Sequence, residues 1–332
     1  MLLRISAFFA ALLCGLGAAS CSRAPAGHVV VYTSVDEVYA LEVFQAFTRE
    51  TGIAVRPLFD AESAKTLGLV NRIAAERARP QADVFWNGEC ARTVLLKEQG
   101  LLESYRSPSA EGIGPEWRDP DGMWTGFGAR ARVIVYNTKT VKEPPRTLDE
   151  LAGPAWKDRV AMANPLFGTT AAHVAALAQA RGEEGALKLL SALKANGLRV
   201  VGGNSHVADL VAAGTRDAGL TDTDDVWVRK ERGEPIDMAY PEDGTLAIPN
   251  TVALVRGAPR GEAGRRFIDF LLRKETEAML ARGRARQMPV RADVEAPEGV
   301  PRLPSLRTMK VDWSRMAAAE PFVAKVRGLL DL

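Results

Sequence analysis

Three carboxylates fall within four residues in the run Thr221-Asp222-Thr223-Asp224-Asp225, directly after the short stretch Ala218-Gly219-Leu220. Like charges this close repel one another unless a cation or hydrogen-bond donors neutralise them. Their hard oxygen atoms suit Fe3+, Mg2+ or Ca2+, and they equally suit an ammonium group. The bland alternative is helix capping, since Asp is common in a first turn. The position after a strand favours the functional reading. A second candidate is Phe167-Gly168-Thr169-Thr170, which opens a helix. Free N–H groups and the positive dipole end there attract an anion, and the hydroxyls of Thr169 and Thr170 add donors.

Other chemistry-bearing residues are spread along the chain. Asp36, Glu37 and Tyr39 follow the first predicted strand, and Glu89 follows the third. Arg130 is placed either to grip an anionic group bidentately or to make a salt bridge at a hinge. Trp86 and Trp227 either flank a ligand or belong to the core. A cation over an indole face gains roughly 0.5–2 kcal/mol. Enzymatic patterns are weaker. His28, His173 and His206 are widely separated, and Ser205, His206 and Asp209 lie too near one another on one helix for triad geometry. Asp222 with Asp224 keeps a secreted hydrolase open as an alternative, although such pairs usually come from separate elements across a cleft. Neither a P-loop nor a dinucleotide fingerprint occurs, so any ATPase would be a separate subunit.

Elements able to position these groups alternate between strand and helix. His28–Thr33 is a β-branched run. Asp36–Glu50 then has Ala40, Phe44 and Phe47 on one helical face, and Gly52 supplies the stop. Strands follow at Ile53–Phe59 and Ala82–Trp86, with helices at Glu62–Arg79 and Glu89–Gln99. This βαβαβα order predicts an α/β fold with mostly parallel sheets. Further strands are expected at Ala131–Tyr136, Arg159–Ala163, Leu198–Val201, Asp217–Leu220 and Thr245–Val255. Helices are expected at Thr170–Arg181, Glu183–Asn196, Asn204–Ala213, Gly261–Leu272, Glu275–Gly283 and Met316–Leu330. The carboxyl ends of parallel strands are where such folds bind ligands.

Composition narrows the class. With 43 basic against 41 acidic residues among 332, and no long basic block, the chain lacks the face a nucleic-acid partner requires. The length suits two domains. Residues 1–20 read as a secretory signal: Arg4, an apolar stretch from Ile5 to Gly17, then small residues. The run is too short for a comfortable membrane span. Ala18-Ala19-Ser20-Cys21 resembles a bacterial lipobox, in which Cys21 carries lipid and residues 21–27 form a tether. Simple cleavage is the alternative. Only Cys90 then remains in the mature body, so no internal disulfide can form.

Several segments resemble the periplasmic solute-binding proteins of ABC importers, and within them the ferric-iron-binding branch. They are Val31-Tyr32-Thr33-Ser34, Phe44 to Ile53, Gln81 to Trp86, Gly100-Leu101-Leu102, Trp124-Thr125-Gly126 with Arg130-Ala131-Arg132-Val133, and Ile248 to Leu254. The resemblance implies a type II fold: two lobes with parallel-type sheets, joined by two crossing strands near Phe127–Val133 and Thr245–Val252. Lobe one would hold 28–127 and 246–300, and lobe two 128–245 and 301–332. Cargo would lie between them and pass to a permease with its separate ATPase. The binding protein itself is expected to be a monomer in the periplasm or cell envelope, with no resident cofactor. By the same resemblance, Asp224 and Asp225 stand where the iron branch has two ligating tyrosines, and Asp36 where many have histidine. Glu89 lies one residue beyond the acidic ligand, and Asn204 matches an anion-holding asparagine. The implied cargo is ferric iron or another hard cation held by Asp36, Glu89, Asp224 and Asp225, with phosphate or carbonate at Thr169 and Thr170. A small organic cation or zwitterion (an aminophosphonate, thiamine or a polyamine) is the alternative.

Overall fold

The computed structural model describes residues 27–60 and 67–332. The expected signal, the Cys21 lipidation site and most of the tether lie outside them. The chain starts with β1 (His28–Thr33), α1 (Glu37–Thr51), β2 (Ala54–Phe59), α2 (Leu67–Ala75), β3 (Val84–Asn87) and α3 (Ala91–Glu98). It continues with β4 (Leu102–Glu103), β5 (Thr125–Asn137), α4 (Leu148–Leu151), β6 (Val160–Ala163), α5 (Gly168–Ala195) and β7 (Arg199–Val201). Then come α6 (Asn204–Ala212), β8 (Ala218–Asp222), α7 (Thr223–Glu231), β9 (Ile236–Ala239) and β10 (Ala247–Val255). Helices α8 (Gly261–Leu271), α9 (Lys274–Arg282) and α10 (Glu320–Leu330) close the chain.

The strands join in the order β2-β1-β3-β10-β5-β8-β6-β7, with β4 beside β10 and β9 beside β5. Strands β2, β1 and β3 are mutually parallel, as are β7, β6 and β8. The sheets are nevertheless mixed, which corrects the mostly parallel expectation. Strand β10 runs antiparallel to β3 and β5, and β5 antiparallel to β8. The reason is topological: β5 and β10 carry the chain out and back between the two halves, so they pair head to tail. Strand β5 begins six residues before the expected Ala131, and this added length lets it serve both halves.

The β5–β10 ladder runs from Ala131 opposite Ala247 to Thr125 opposite Val252, with a register shift between Pro249 and Asn250. At that shift Gly128 adopts a positive φ of 41°, a conformation costly for any side chain bearing Cβ. Its N–H donates to Glu277 Oε1 at 2.8 Å, and its carbonyl accepts from Asn250 Nδ2. A side-chain clamp therefore replaces the missing ladder bonds at the crossing.

Each half has its own core. On one side Phe44, Phe47, Trp86, Phe127 and Phe267 stack edge to face or tilted, with centroids 5.1 to 6.5 Å apart. On the other, Ile134, Leu148, Met162, Leu190 and Leu220 meet Phe322 and Val326 of α10. The tail does not keep to one side: Met288 and Val300 pack with Val133 and Val226, whereas Trp313 and Met316 join Phe85 and Leu96. The two expected helices, Thr170–Arg181 and Glu183–Asn196, are the two arms of α5, separated at Gly182, whose φ of 75° breaks the helical path. The last helix begins at Glu320, preceded by short 3-10 turns.

Candidate functional site

A cavity of about 360 Å³ lies between the halves. Residues from the carboxyl ends of β1 and β3 (Ser34, Asp36, Gly88, Glu89) face residues that follow β6, β7 and β8, with Arg130 of β5 between. Strand ends cluster here because parallel strands all point their carboxyl termini the same way. The N-termini of α5, α6 and α7 meet at the cavity's far wall. None of these three helices has a side-chain hydrogen bond at its N-cap. Free N–H groups and three positive dipole ends therefore face one space.

Beneath that wall sits a buried polar network. Arg132 is 1% exposed. Its Nη1 donates to Asp222 Oδ1 at 2.8 Å and to Asn204 Oδ1 at 2.9 Å, and its Nη2 donates to the Leu220 carbonyl. Asp222 Oδ2 accepts from Thr169 Oγ1 at 2.6 Å and from Asn204 Nδ2 at 3.2 Å. Thr170 Oγ1 donates to Asn204 Oδ1. Burial alone would raise the Asp222 carboxyl, but Arg132 and Arg130 outweigh it and hold it below the ordinary range. The network locks α5, α6 and β8 in fixed relation. It also uses up the side chains of Asn204, Thr169 and Thr170 internally. The hydroxyls of Thr169 and Thr170 were expected to add donors to the backbone N–H groups at an anion site, and Asn204 to hold the anion; with these side chains bonded to one another, the backbone N–H groups are the donors that remain.

The two remaining aspartates behave differently. Asp224 Oδ2 accepts from Arg130 Nη1 at 3.1 Å, while its Oδ1 is buried without a hydrogen-bond partner. Asp225 accepts from Ser205 Oγ at 2.6 Å and from Thr221 Oγ1 at 3.0 Å. Burial raises both carboxyls. Asp225 is pushed up to about 7 by burial and then by its neighbours Asp224 and Asp222. Oxygen atoms of Asp222, Asp224 and Asp225 all lie within 4.8 Å of one another, the spacing of a hard-cation site. Asp222 is neutralised by Arg132; of the other two, Asp224 pairs with Arg130 through Oδ2 and keeps Oδ1 for a cation, and Asp225 carries only neutral hydroxyl donors.

Glu89 takes a structural part, and for Trp86, Trp227 and Arg130 the structure favours the non-ligand alternative. Glu89 is buried, and its carboxylate accepts from the N–H groups of Ala91 and Arg92 at 2.6 and 3.0 Å and from Asn87 Nδ2. It caps α3, because the first N–H groups of a helix need acceptors, and three of its roughly four acceptor sites are taken up in doing so. Trp86 is fully buried among Phe44 and Phe127, and Trp227 lies between Arg286 and Lys230; neither borders the cavity. Arg130 is paired within the protein to Asp224 and to the Gly88 carbonyl, so its anion-gripping role is not free. Asp36 lines the cavity. Tyr39 sits close enough that Asp224, after burial, raises its hydroxyl.

Arg132 was missed as a site residue. Its signal was present: Arg130 and Arg132 are two apart in an apolar strand, so both point to the same face. Ser34 and Ser205 also line the cavity and carried no sequence signal beyond their hydroxyls.

Two halves, two crossing strands and an intervening cavity define a ligand-binding protein of the two-lobed periplasmic type. The chain belongs to the bacterial extracellular solute-binding protein family, whose pattern matches residues 93–317. It is 32% identical over 304 residues to iron uptake protein A1 of Synechocystis sp., covering 87% of this chain and 82% of that one. It is 28% identical over 260 residues (76% and 74% of the two chains) to a Salmonella typhimurium periplasmic protein provisionally named as binding 2-aminoethylphosphonate. The fold superposes on iron-bound HitA from Pseudomonas aeruginosa with a TM-score of 0.82 at 24% identity, covering 91% of this chain and 99% of that one.

Proposed function

We propose that this chain is the substrate-binding subunit of an ABC importer and carries ferric iron, or a similarly hard cation, together with an anion. The observation that supports this most directly is the pairing of Asp224 and Asp225 with three uncapped helix N-termini around one cavity. The carboxylates supply hard oxygen ligands. The helix ends supply N–H donors for an anion that completes the cation's coordination. The iron-related relative adds support. Cargo bridging the halves stabilises the closed form by binding it better than the open one. A membrane permease with a separate ATPase would then recognise that form. Lobe one is proposed to comprise 28–127 and 246–300, and lobe two 128–245 and 301–332, with Met288 and Val300 reaching across to lobe two and Trp313 and Met316 back to lobe one. Cys21 would tether the protein to the cell envelope as a lipoprotein.

A zwitterion such as an aminoalkylphosphonate is a second reading. It is favoured by Asp224 Oδ1 and Arg130 Nε, one acceptor and one donor that are buried without hydrogen-bond partners on residues lining the same cavity. Replacing Asp224 and Asp225 with Ala tests the site itself. Binding of ferric iron with phosphate should fall at least a hundredfold while the unfolding midpoint changes little. Unchanged affinity would return both aspartates to a capping role.

A further inference from the structure

Trp227 lies outside the cavity, one turn along α7 from Asp224, and two cations stand against its ring. Arg286 Cζ is 4.8 Å from the ring centroid and Lys230 Nζ 5.0 Å from it. The ring also rests on Gly299, where a Cβ would come within 3.1 Å of Trp227 Cη2. The indole Nε1 is buried without a hydrogen-bond partner, so contacts of the ring hold this side chain. Arg286 is exceptional in its backbone too. Three of the described non-glycine residues have positive φ: Asp158, Asp331 and Arg286. Aspartate tolerates that region through its short polar side chain. Arg286, at 44°, lacks that relief, and such strain persists only where the surroundings over-determine it. We propose that Arg286 is a positioning residue for cargo: by stacking on Trp227 it ties α7, which carries Asp224 and Asp225 in its first turn, to the crossing of the two halves. This rests on the reading of those aspartates as cargo ligands.

Both ends of the tie are in place. Gln287, the next residue, accepts from Asn250 Nδ2 of β10 at 2.9 Å, and Met288 exchanges two backbone hydrogen bonds of 2.7 Å with Ala129 of β5. The segment after α9 is thus fixed to both crossing strands at their register shift. At the other end Trp227, three residues after Asp224, shares its side of α7. That helix has nine residues, too few to hold its shape without tertiary packing. Arg284 and Arg286 also approach Glu231 at the end of α7, at 3.7 and 3.8 Å. Partly exposed ion pairs of that length contribute little, which leaves the guanidinium–indole stack as the main contact. Held this way, the two carboxylates are pre-organised, and cargo loses less of its binding energy to ordering them.

The test compares wild type with Arg286→Gly, Arg286→Lys and Trp227→Leu, all freed of metal. Glycine takes the positive φ without strain but removes the stack; lysine keeps a cation for the ring. Affinity is measured with Fe3+ delivered from nitrilotriacetate, and hydrogen–deuterium exchange of the α7 amides is measured without metal. Arg286→Gly should lose iron affinity at least tenfold, and its α7 amides should exchange at least fivefold faster. Its unfolding midpoint should stay within about 2 °C of wild type, because relieved strain offsets the lost contacts. Arg286→Lys should remain within threefold of wild type in both readouts. Trp227→Leu should match Arg286→Gly, and combining the two should add little. Where wild type binds iron, unchanged affinity or unchanged α7 exchange in Arg286→Gly would overturn the proposal. So would equal losses in Arg286→Lys, additive losses in the double variant, or an Arg286→Gly midpoint lowered well beyond that margin. If wild type binds no iron, the cargo reading fails, and α7 exchange in Arg286→Gly alone decides whether Arg286 holds that helix.

Discussion

The Arg132–Asp222 pair gives the sharpest quantitative expectation. Both side chains are almost fully buried, and the bond between them is 2.8 Å long. Breaking a buried pair by removing one member leaves the other charge without compensation, which costs about 3–5 kcal/mol. Arg132→Met would strand Asp222 with only Thr169, Asn204 and the more distant Arg130 for partners. At ~2–4 °C per kcal/mol for a chain of a few hundred residues, the unfolding midpoint should fall by roughly 10 °C. Asp222→Leu should cost a similar amount by stranding Arg132. The double variant removes both charges, and apolar replacement of a whole buried pair is often near neutral. Some loss remains, because Thr169 and Asn204 keep donors without their acceptor, at about 1–3 kcal/mol. Thermal or urea unfolding of all four proteins closes a double-mutant cycle. The double variant should recover half or more of the summed single losses. Additive losses, or a wild-type midpoint in Arg132→Met, would refute the view that this pair anchors the site.

Three further outcomes are expected. Glu89→Ala should destabilise by about 1 kcal/mol through lost capping of α3, and iron affinity should stay within a few-fold; loss of binding with intact stability would restore Glu89 as a ligand. His173 is 2% exposed, and burial followed by Arg132 lowers its imidazole to about 3 from 6.5. The unfolded chain then takes up the proton first, so stability is complete above pH 6.5 and is lost as pH falls towards 3. At pH 5 the loss is about 2 kcal/mol, and His173→Gln should remove that part of the pH dependence in unfolding measured from pH 7 to 5. Cys21→Ser should move the protein from the membrane fraction to the soluble one, and retention in the membrane would contradict the lipobox reading.

Much of the architecture was visible in residue patterns. Strand β1, helix α1 and the stop at Gly52 follow from β-branching, helical spacing and a left-handed glycine, and all are local effects. The two crossings were expected from the resemblance near Phe127–Val133 and Thr245–Val252, where β5 and β10 do pair; their antiparallel direction was not legible, because pairing partners more than a hundred residues apart leave no mark on either segment alone. The aspartate cluster was recognisable by composition, and the structure does gather its three carboxylates. Their division of labour was not visible, since it depends on Arg132 reaching Asp222 from β5 and Arg130 reaching Asp224. Glu89 shows the opposite failure. Its place after a strand suggested a ligand, yet the start of α3 two residues later claims its carboxylate. Trp86 and Trp227 were left open for a related reason: large apolar rings suit a ligand face and a core equally well, and only packing separates the two.

The central claim is that this cavity takes a hard cation together with an anion. The most direct test is thermal unfolding of the metal-free mature chain from Ser22, against ferric citrate with and without phosphate, divalent cations, 2-aminoethylphosphonate, thiamine and spermidine. A ligand at a hundred times its dissociation constant stabilises by about 2.7 kcal/mol, an easily measured shift. The account predicts a rise with ferric iron that phosphate enlarges, and little response to the organic amines. A rise with an amine or aminophosphonate and none with iron would contradict it.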